Sequence, residues 1–198
     1  MGHVPVLLDE VIEALAPTDG ETYADGTFGG GGYALRVLDA ANCNVIGIDR
    51  DLDAISRAET LSEKEPRLTP LLGRFGDMDA LLLNNGIQHV HGIMLDIGVS
   101  SFQIDEADRG FSFMRDGPLD MRMGRSGPSA ADVVNTLDEQ DLITVIRQLG
   151  EEKQARRISA AIVTRRSEKP FQTTLDLAET IETTVGGRRG KKTHPATL

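Results

Sequence analysis

The chain has 198 residues, 39% of them apolar, with 21 Lys/Arg against 31 Asp/Glu and a formal net charge of −10. That apolar share is enough for a packed core and excludes a disordered chain, while a single cysteine, Cys43, excludes an internal disulfide and a cysteine-cluster metal site. No apolar run approaches the roughly 18–20 residues of a membrane span, and Met1-Gly2-His3-Val4-Pro5 does not open like a secretory signal, so a soluble cytoplasmic chain with no membrane partner and no metal is expected.

Residues 4–16 begin with Val4-Pro5-Val6 and then space Leu8, Val11, Ile12 and Leu15 as one face of a helix. Residues 22–25 form a short strand running into Gly26-Thr27-Phe28-Gly29-Gly30-Gly31-Gly32, and residues 33–41 read as a helix. The apolar run Asn44-Val45-Ile46-Gly47-Ile48-Asp49 is a second strand, followed by a helix over 52–62, a strand at 67–72, a helix at 77–84 and a strand at 92–97. This alternation is the pattern of a parallel α/β sheet.

The pattern breaks at residues 100–127, which are rich in Gly, Asp, Arg and Met and show no period. Beyond them the chain reads as helical. Ser129 and Asp132 form a capping-box-like start, residues 139–149 and 151–166 are amphipathic with Ala155, Ile158, Ala161 and Ile162 on one face, and residues 175–185 make a last helix. Two domains are therefore expected, an α/β part over 1–104 and a loop plus helical part over 105–198. Charge divides similarly: residues 1–105 hold 6 Lys/Arg and 17 Asp/Glu, residues 106–198 hold 15 and 14, and residues 147–192 hold 11 and 6. The last stretch, ending in Arg188-Arg189-Gly190-Lys191-Lys192, is the candidate for contact with a polyanion.

A strand ending in Asp25, a glycine-rich turn and a helix make a seat for a nucleotide cofactor, because glycines let the backbone approach a ligand and the helix start offers unpaired N–H groups. Gly29-x-Gly31-x-x-Ala34 matches the dinucleotide pattern, a weak signal among four consecutive glycines. Asp49, about 20 residues on, stands where an acid accepts ribose hydroxyls, with a helix-capping role as the plainer reading. Asp25 beside the loop suits the ammonium of a methionine moiety and would repel a pyrophosphate. Asp96 tips the fourth strand as well. These two acids favour S-adenosylmethionine over NAD.

The stretches Asp25-Gly26-Thr27-Phe28-Gly29, Ile48-Asp49-Arg50-Asp51, Leu95-Asp96-Ile97-Gly98-Val99-Ser100-Ser101 and the run Arg109-Gly110-Phe111-Ser112-Phe113-Met114-Arg115-Asp116-Gly117-Pro118-Leu119-Asp120-Met121-Arg122-Met123 resemble the ribosomal RNA small-subunit methyltransferase H family. So do His3-Val4-Pro5-Val6-Leu7-Leu8, Gly150-Glu151-Glu152 and His194-Pro195-Ala196-Thr197. The resemblance implies the N-terminal part of a Rossmann-like S-adenosylmethionine-dependent methyltransferase sheet with a small inserted helical domain. It further implies N4-methylation of a cytidine in the decoding region of 16S ribosomal RNA, with the small ribosomal subunit as partner. By the same resemblance the cofactor contacts fall on Gly31, Gly32, Tyr33, Asp49, Phe75, Asp96 and Gln103. Tyr33 stands where that family usually has His, and Phe102 where it has Pro. Chains of that family also continue past the last motif, so Val45, Ile46, Ile93 and Leu95 are expected to lack cover here.

Cytosine N4 is a poor nucleophile, and an acceptor for its N–H bonds would localise its lone pair and take the proton. Asp96 is the tentative residue for that task, with Asp116 and Asp120 as alternatives whose plainer role is pairing with Arg115 or Arg122. Two other readings stay open: a truncated, inactive chain that binds cofactor or RNA without turnover, and an NAD-dependent oxidoreductase.

Overall fold

The computed structural model describes residues 5–187 and 193–197. They gather into two compact units, one made of residues up to 101 together with Met123–Arg125, the other of Phe102–Arg122 and the residues from 126 onward.

The first unit runs α1 (Leu8–Leu15), β1 (Thr22–Asp25), α2 (Gly32–Ala40), β2 (Asn44–Asp49), α3 (Leu52–Ser62), β3 (Leu68–Leu72), a 3-10 turn (Phe75–Asp77), α4 (Met78–Asn84) and β4 (Gly92–Met94). The strands form one parallel α/β sheet in the order β3-β2-β1-β4. Side chains of β1 and β2 alternate between two cores, as a period of two requires. Tyr23 and Val45 meet Val37 and Leu38 of α2 and Ala58 of α3, with Val11, Ile12 and Leu15 of α1 at the margin. Ala24, Ile46 and Ile48 meet Met78 and Leu82 of α4 on the other side. Covering β2 on both faces is what makes its sequence a near-continuous apolar run.

The fourth strand ends three residues earlier than residues 92–97. Its partner β1 stops at Asp25, opposite Met94, and the Gly26 N–H closes the last rung on the Met94 carbonyl at 3.0 Å. Past that rung Leu95, Asp96 and Ile97 have no strand beside them among the described residues, and all three are exposed. Ile93 is 53% exposed, whereas Val45 and Ile46 are buried. The expected loss of cover therefore holds for Ile93 and Leu95 and fails for the two residues of β2, which lies between β1 and β3 with helices on both faces.

The second unit carries α5 (Ser101–Asp105, from Phe102 onward), a 3-10 turn (Ala107–Arg109), α6 (Ala130–Thr136), α7 (Glu139–Gln148), α8 (Ala155–Glu168) and α9 (Thr174–Val185). The stretch 100–127 is thus not wholly irregular. Ser129 caps α6 with a complete capping box, its hydroxyl accepting the Asp132 N–H while the Asp132 side chain accepts the Ser129 N–H. α8 starts at Ala155 and not at 151, because Glu151 adopts a left-handed φ of 51° and Glu152 accepts the Gln154 N–H at 2.6 Å. Its buried stripe is Ala155, Ile158, Ser159 and Ile162. Ser159 replaces the expected Ala161 in that stripe, and the core also takes Leu119, Val134, Leu142, Phe171 and Val185.

Candidate functional site

Register places the acids. Asp25 pairs with Gly47 and Met94, and Asp49 pairs with Leu72, so both carboxylates stand at the carboxyl edge of the sheet, where open α/β folds bind their ligands. Asp96 follows β4 by two residues on the same edge, and its N–H donates to the Thr27 hydroxyl at 2.7 Å. The loop between β1 and α2 is drawn over this edge. Gly31, at φ 78°, is the N-cap of α2, and a Cβ there would lie 2.7 Å from the Phe28 ring. That ring is buried and also lies 2.5 Å from where a Cβ of Gly47 would be.

The loop amides have internal acceptors. Thr27 N–H donates to Asp25 Oδ1 at 3.1 Å, Phe28 N–H to the Ile48 carbonyl at 3.1 Å and Gly31 N–H to the Phe28 carbonyl at 2.7 Å. Gly29 N–H donates to Asp49 Oδ2 at 2.8 Å. Asp49 Oδ1 takes the Asp51 N–H at 2.9 Å, so Asp49 ties the glycine loop to the turn after β2. The helix cap is Asp51, whose side chain accepts the Asp53 N–H. The Asp-Arg-Asp spacing carried that signal, and the anchoring of the loop by Asp49 had none.

Asp25 is 1% exposed, and its Oδ2 is buried without a hydrogen-bond partner. Burial pushes its carboxyl up to about 7, opposed by the Thr27 amide and reinforced by Asp49, opposed again by the Ala34 amide and reinforced by Asp96. Tyr33, on the first turn of α2, donates its hydroxyl to the Val6 carbonyl. Its phenol is raised above the ordinary value by burial and then by the nearby Asp96 and Asp25 carboxylates. Phe75 is 44% exposed and, with Leu95 and Met78, lies over Gly26, where a Cβ would come within 3.1 Å of Phe75 Cβ. At Gly32 a side chain would collide with Pro5.

The structure thus brings Gly31, Gly32, Tyr33, Asp49, Phe75 and Asp96 together with Asp25 on one edge of the first unit. Gln103 belongs to the second unit and is buried in α5. The alternative acids have structural partners. Asp120 forms a bidentate pair with Arg122 at 2.6 and 2.9 Å. Asp116 accepts the Leu175 N–H at the start of α9 at 3.1 Å, and among the described residues it forms no ion pair with the expected partner Arg115. That amide and the Thr173 hydroxyl hold its carboxyl below the ordinary carboxylate range. Residues 188–192 of the basic stretch lie outside the described residues.

The sequence pattern of the MraW methylase family matches residues 1–198, the full chain. The chain belongs to the MraW methylase family. It is 66% identical over 197 residues to the ribosomal RNA small subunit methyltransferase H of Hyphomonas neptunium, covering all of this chain and 58% of that protein. It is 51% identical over 196 residues to the protein of the same name from Parvibaculum lavamentivorans, covering 98% of this chain and again 58% of the relative. The relative from Caulobacter vibrioides is 53% identical over 195 residues, covering 98% of this chain and 61% of its own length. This MraW methylase chain therefore spans about three fifths of the length of the curated relatives it matches. Among its described residues no helix is long and apolar enough to cross a membrane.

Proposed function

We propose that the first unit holds S-adenosylmethionine and that the protein transfers its methyl group to the N4 of a cytidine in 16S ribosomal RNA of the small subunit, in the cytoplasm. On this reading the second unit is the inserted helical domain and faces the RNA. The observation that carries the cofactor assignment is the disposition of the loop: four of its amides already have internal acceptors, and the nearest buried atom without a partner is a carboxylate oxygen, Asp25 Oδ2. A pyrophosphate needs free N–H donors and meets a negative wall there, whereas a ligand carrying an ammonium completes the orphaned oxygen. The residues present therefore fit S-adenosylmethionine better than NAD.

Asp25 would hold the methionine ammonium. Asp49 keeps one lone pair free on each oxygen for the ribose hydroxyls, since a carboxylate offers about four acceptor sites, and the exposed ring of Phe75 offers a face to the adenine. The sulfonium, when bound, supplies an electrophilic methyl. The protein's own part is to place the cytidine amine in line with it. Asp96 is exposed and its backbone is held by Thr27; its carboxylate, beside the Tyr33 hydroxyl, would accept an N–H of the amine and receive the proton as charge develops. A second reading, cofactor binding without turnover by this 198-residue chain, draws on the exposure of Leu95 and Ile97 around Asp96, which leaves the acceptor side open to water.

Calorimetry with S-adenosylmethionine and with NAD, on wild type and Asp49→Ala, tests the cofactor. S-adenosylmethionine should bind and NAD should not. Asp49→Ala should weaken binding by ~1.5–3 kcal/mol, the value of a hydrogen bond to a charged acceptor, and lower the melting temperature of the ligand-free chain as well, because two backbone amides lose their acceptor. Preferential binding of NAD, or unchanged affinity in the variant, would refute the assignment. Methyl transfer to assembled small subunits separates the two readings of the activity.

A further inference from the structure

We infer that Met114 and Arg115 form a recognition tip on the second unit, Met114 packing against an RNA base and Arg115 against the adjoining phosphate. The inference rests on the reading that the substrate is RNA. The observation behind it is two exposed residues held between two anchors. On one side, the Phe113 ring lies 4.5 Å from the His194 ring, and His194 Nε2 is 3.2 Å from Glu182 of α9. On the other, Asp116 accepts the Leu175 N–H of α9 at 3.1 Å, and the backbone behind it is pinned by Thr174 N–H to the Gly117 carbonyl at 3.0 Å and Leu119 N–H to the Gln172 carbonyl at 2.9 Å. Gly110 and Gly117 in the same run have no room for a Cβ against the facing backbone. Between the anchors Met114 is 83% exposed, and Arg115 is exposed with no hydrogen bond or ion pair among the described residues.

Neither side chain serves the fold. Met114 adds nothing to the core around Leu119 and Phe171, and Arg115 neutralises none of the neighbouring acids, since Asp116 is taken by backbone amides and Asp120 by Arg122. A rigid turn that presents an unbranched, polarisable thioether beside a guanidinium has the chemistry of a nucleic-acid wedge. Chemistry on a base requires the base to leave its stack, and apolar side chains flanked by cations hold such an opened step. The thioether packs on a base face while the guanidinium takes the phosphate.

The test uses the full 198-residue chain and a short RNA hairpin with 2-aminopurine beside a loop cytidine, titrated from low to moderate salt. Wild type should bind and raise the 2-aminopurine fluorescence as the base unstacks. Arg115→Ala should weaken binding and flatten the salt dependence by a slope of about 0.7, the loss of one single-strand phosphate contact. Met114→Ala should weaken binding by roughly 5-fold or more, as loss of a stacking contact does, keep the slope, and abolish the fluorescence rise. Both positions are exposed, so melting temperatures should be unchanged. If wild type binds and unstacks the RNA while both variants behave like it, the tip is refuted and the RNA reading stands. If wild type does not bind RNA at all, both fall. A change in sedimentation of the free chain on Met114→Ala would make the turn a self-association contact, which also overturns the proposal.

Discussion

Asp25 is the residue whose chemistry reaches furthest. Its folded-state carboxyl is raised to about 7, above its ordinary value, so the folded chain favours the neutral acid. Stability of the ligand-free chain should therefore fall as pH rises from about 4 to about 7, the full penalty being roughly 4 kcal/mol at 1.36 kcal/mol per unit. The titratable neighbours, Asp49 at the end of β2, Asp96 after β4 and the neutral Tyr33 on α2, offer no cation to relieve it. A bound ammonium reverses the preference. Affinity for S-adenosylmethionine should then rise roughly tenfold per pH unit up to about 7 and level off above it, whereas Asp25→Asn should bind more weakly at every pH, with a flat profile, and be more stable than wild type at pH 8 without ligand. Calorimetry and thermal melts from pH 5.5 to 8.5 read all three. A flat wild-type binding profile would show that the carboxyl does not meet the cation. The position of these acids was legible because each closes an apolar run. The unsatisfied oxygen of Asp25 and the second acceptor role of Asp49 were not, since the one depends on how the chain buries that carboxyl and the other on Gly29 reaching Asp49 from a loop 20 residues earlier.

Among the elements, the glycine loop is held less by its glycines than by what fills the space they leave. Phe28 is 2% exposed, seated against Gly31 and Gly47, and it joins the loop to the core beneath α2. Phe28→Ala should cost about 3–5 kcal/mol through the cavity left behind and release Gly31 from its N-cap conformation, so urea stability and cofactor affinity should drop together. Loss of stability with unchanged affinity would mean that the loop is shaped by ligand and not by the ring. Strand and helix cores were legible from period, because β2 buries both faces and α8 buries one stripe. Ends were not. β4 stops where its neighbour β1 stops, a fact carried by a strand about 70 residues earlier, and α8 is delayed by the backbone of Glu151. The Asp-Arg-Asp spacing announced a cap for α3 but not which acid supplies it; Asp51 does, accepting the Asp53 N–H.

At the scale of the molecule, each unit owns its hydrophobic cores: Tyr23, Val45 and Ile48 with their neighbours in the first, and Leu142, Ile158, Ile162 and Phe171 in the second. The chain changes from strand–helix alternation to helical periods near where the two units meet in sequence, while the return of Met123–Arg125 to the first unit has no signal in the local pattern. Arg125 pairs with Asp53 on α3 at 3.0 Å, a contact between residues far apart in the chain that no local pattern encodes. Separate cores make the two units energetically distinct, and ligand should reveal it. S-adenosylmethionine at 100 times its dissociation constant stabilises whatever it binds by about 2.7 kcal/mol. Hydrogen exchange should show that protection rising across β1, β2 and α2 while α7, α8 and α9 exchange as before. Ile162→Ala, which empties a fully buried site in α8, should cost about 2–5 kcal/mol and loosen only the helical unit, leaving cofactor affinity within error of wild type. Uniform protection of both units by the ligand, or loss of cofactor binding in Ile162→Ala, would mean that the chain unfolds as one cooperative body and that the helical core supports the cofactor edge directly.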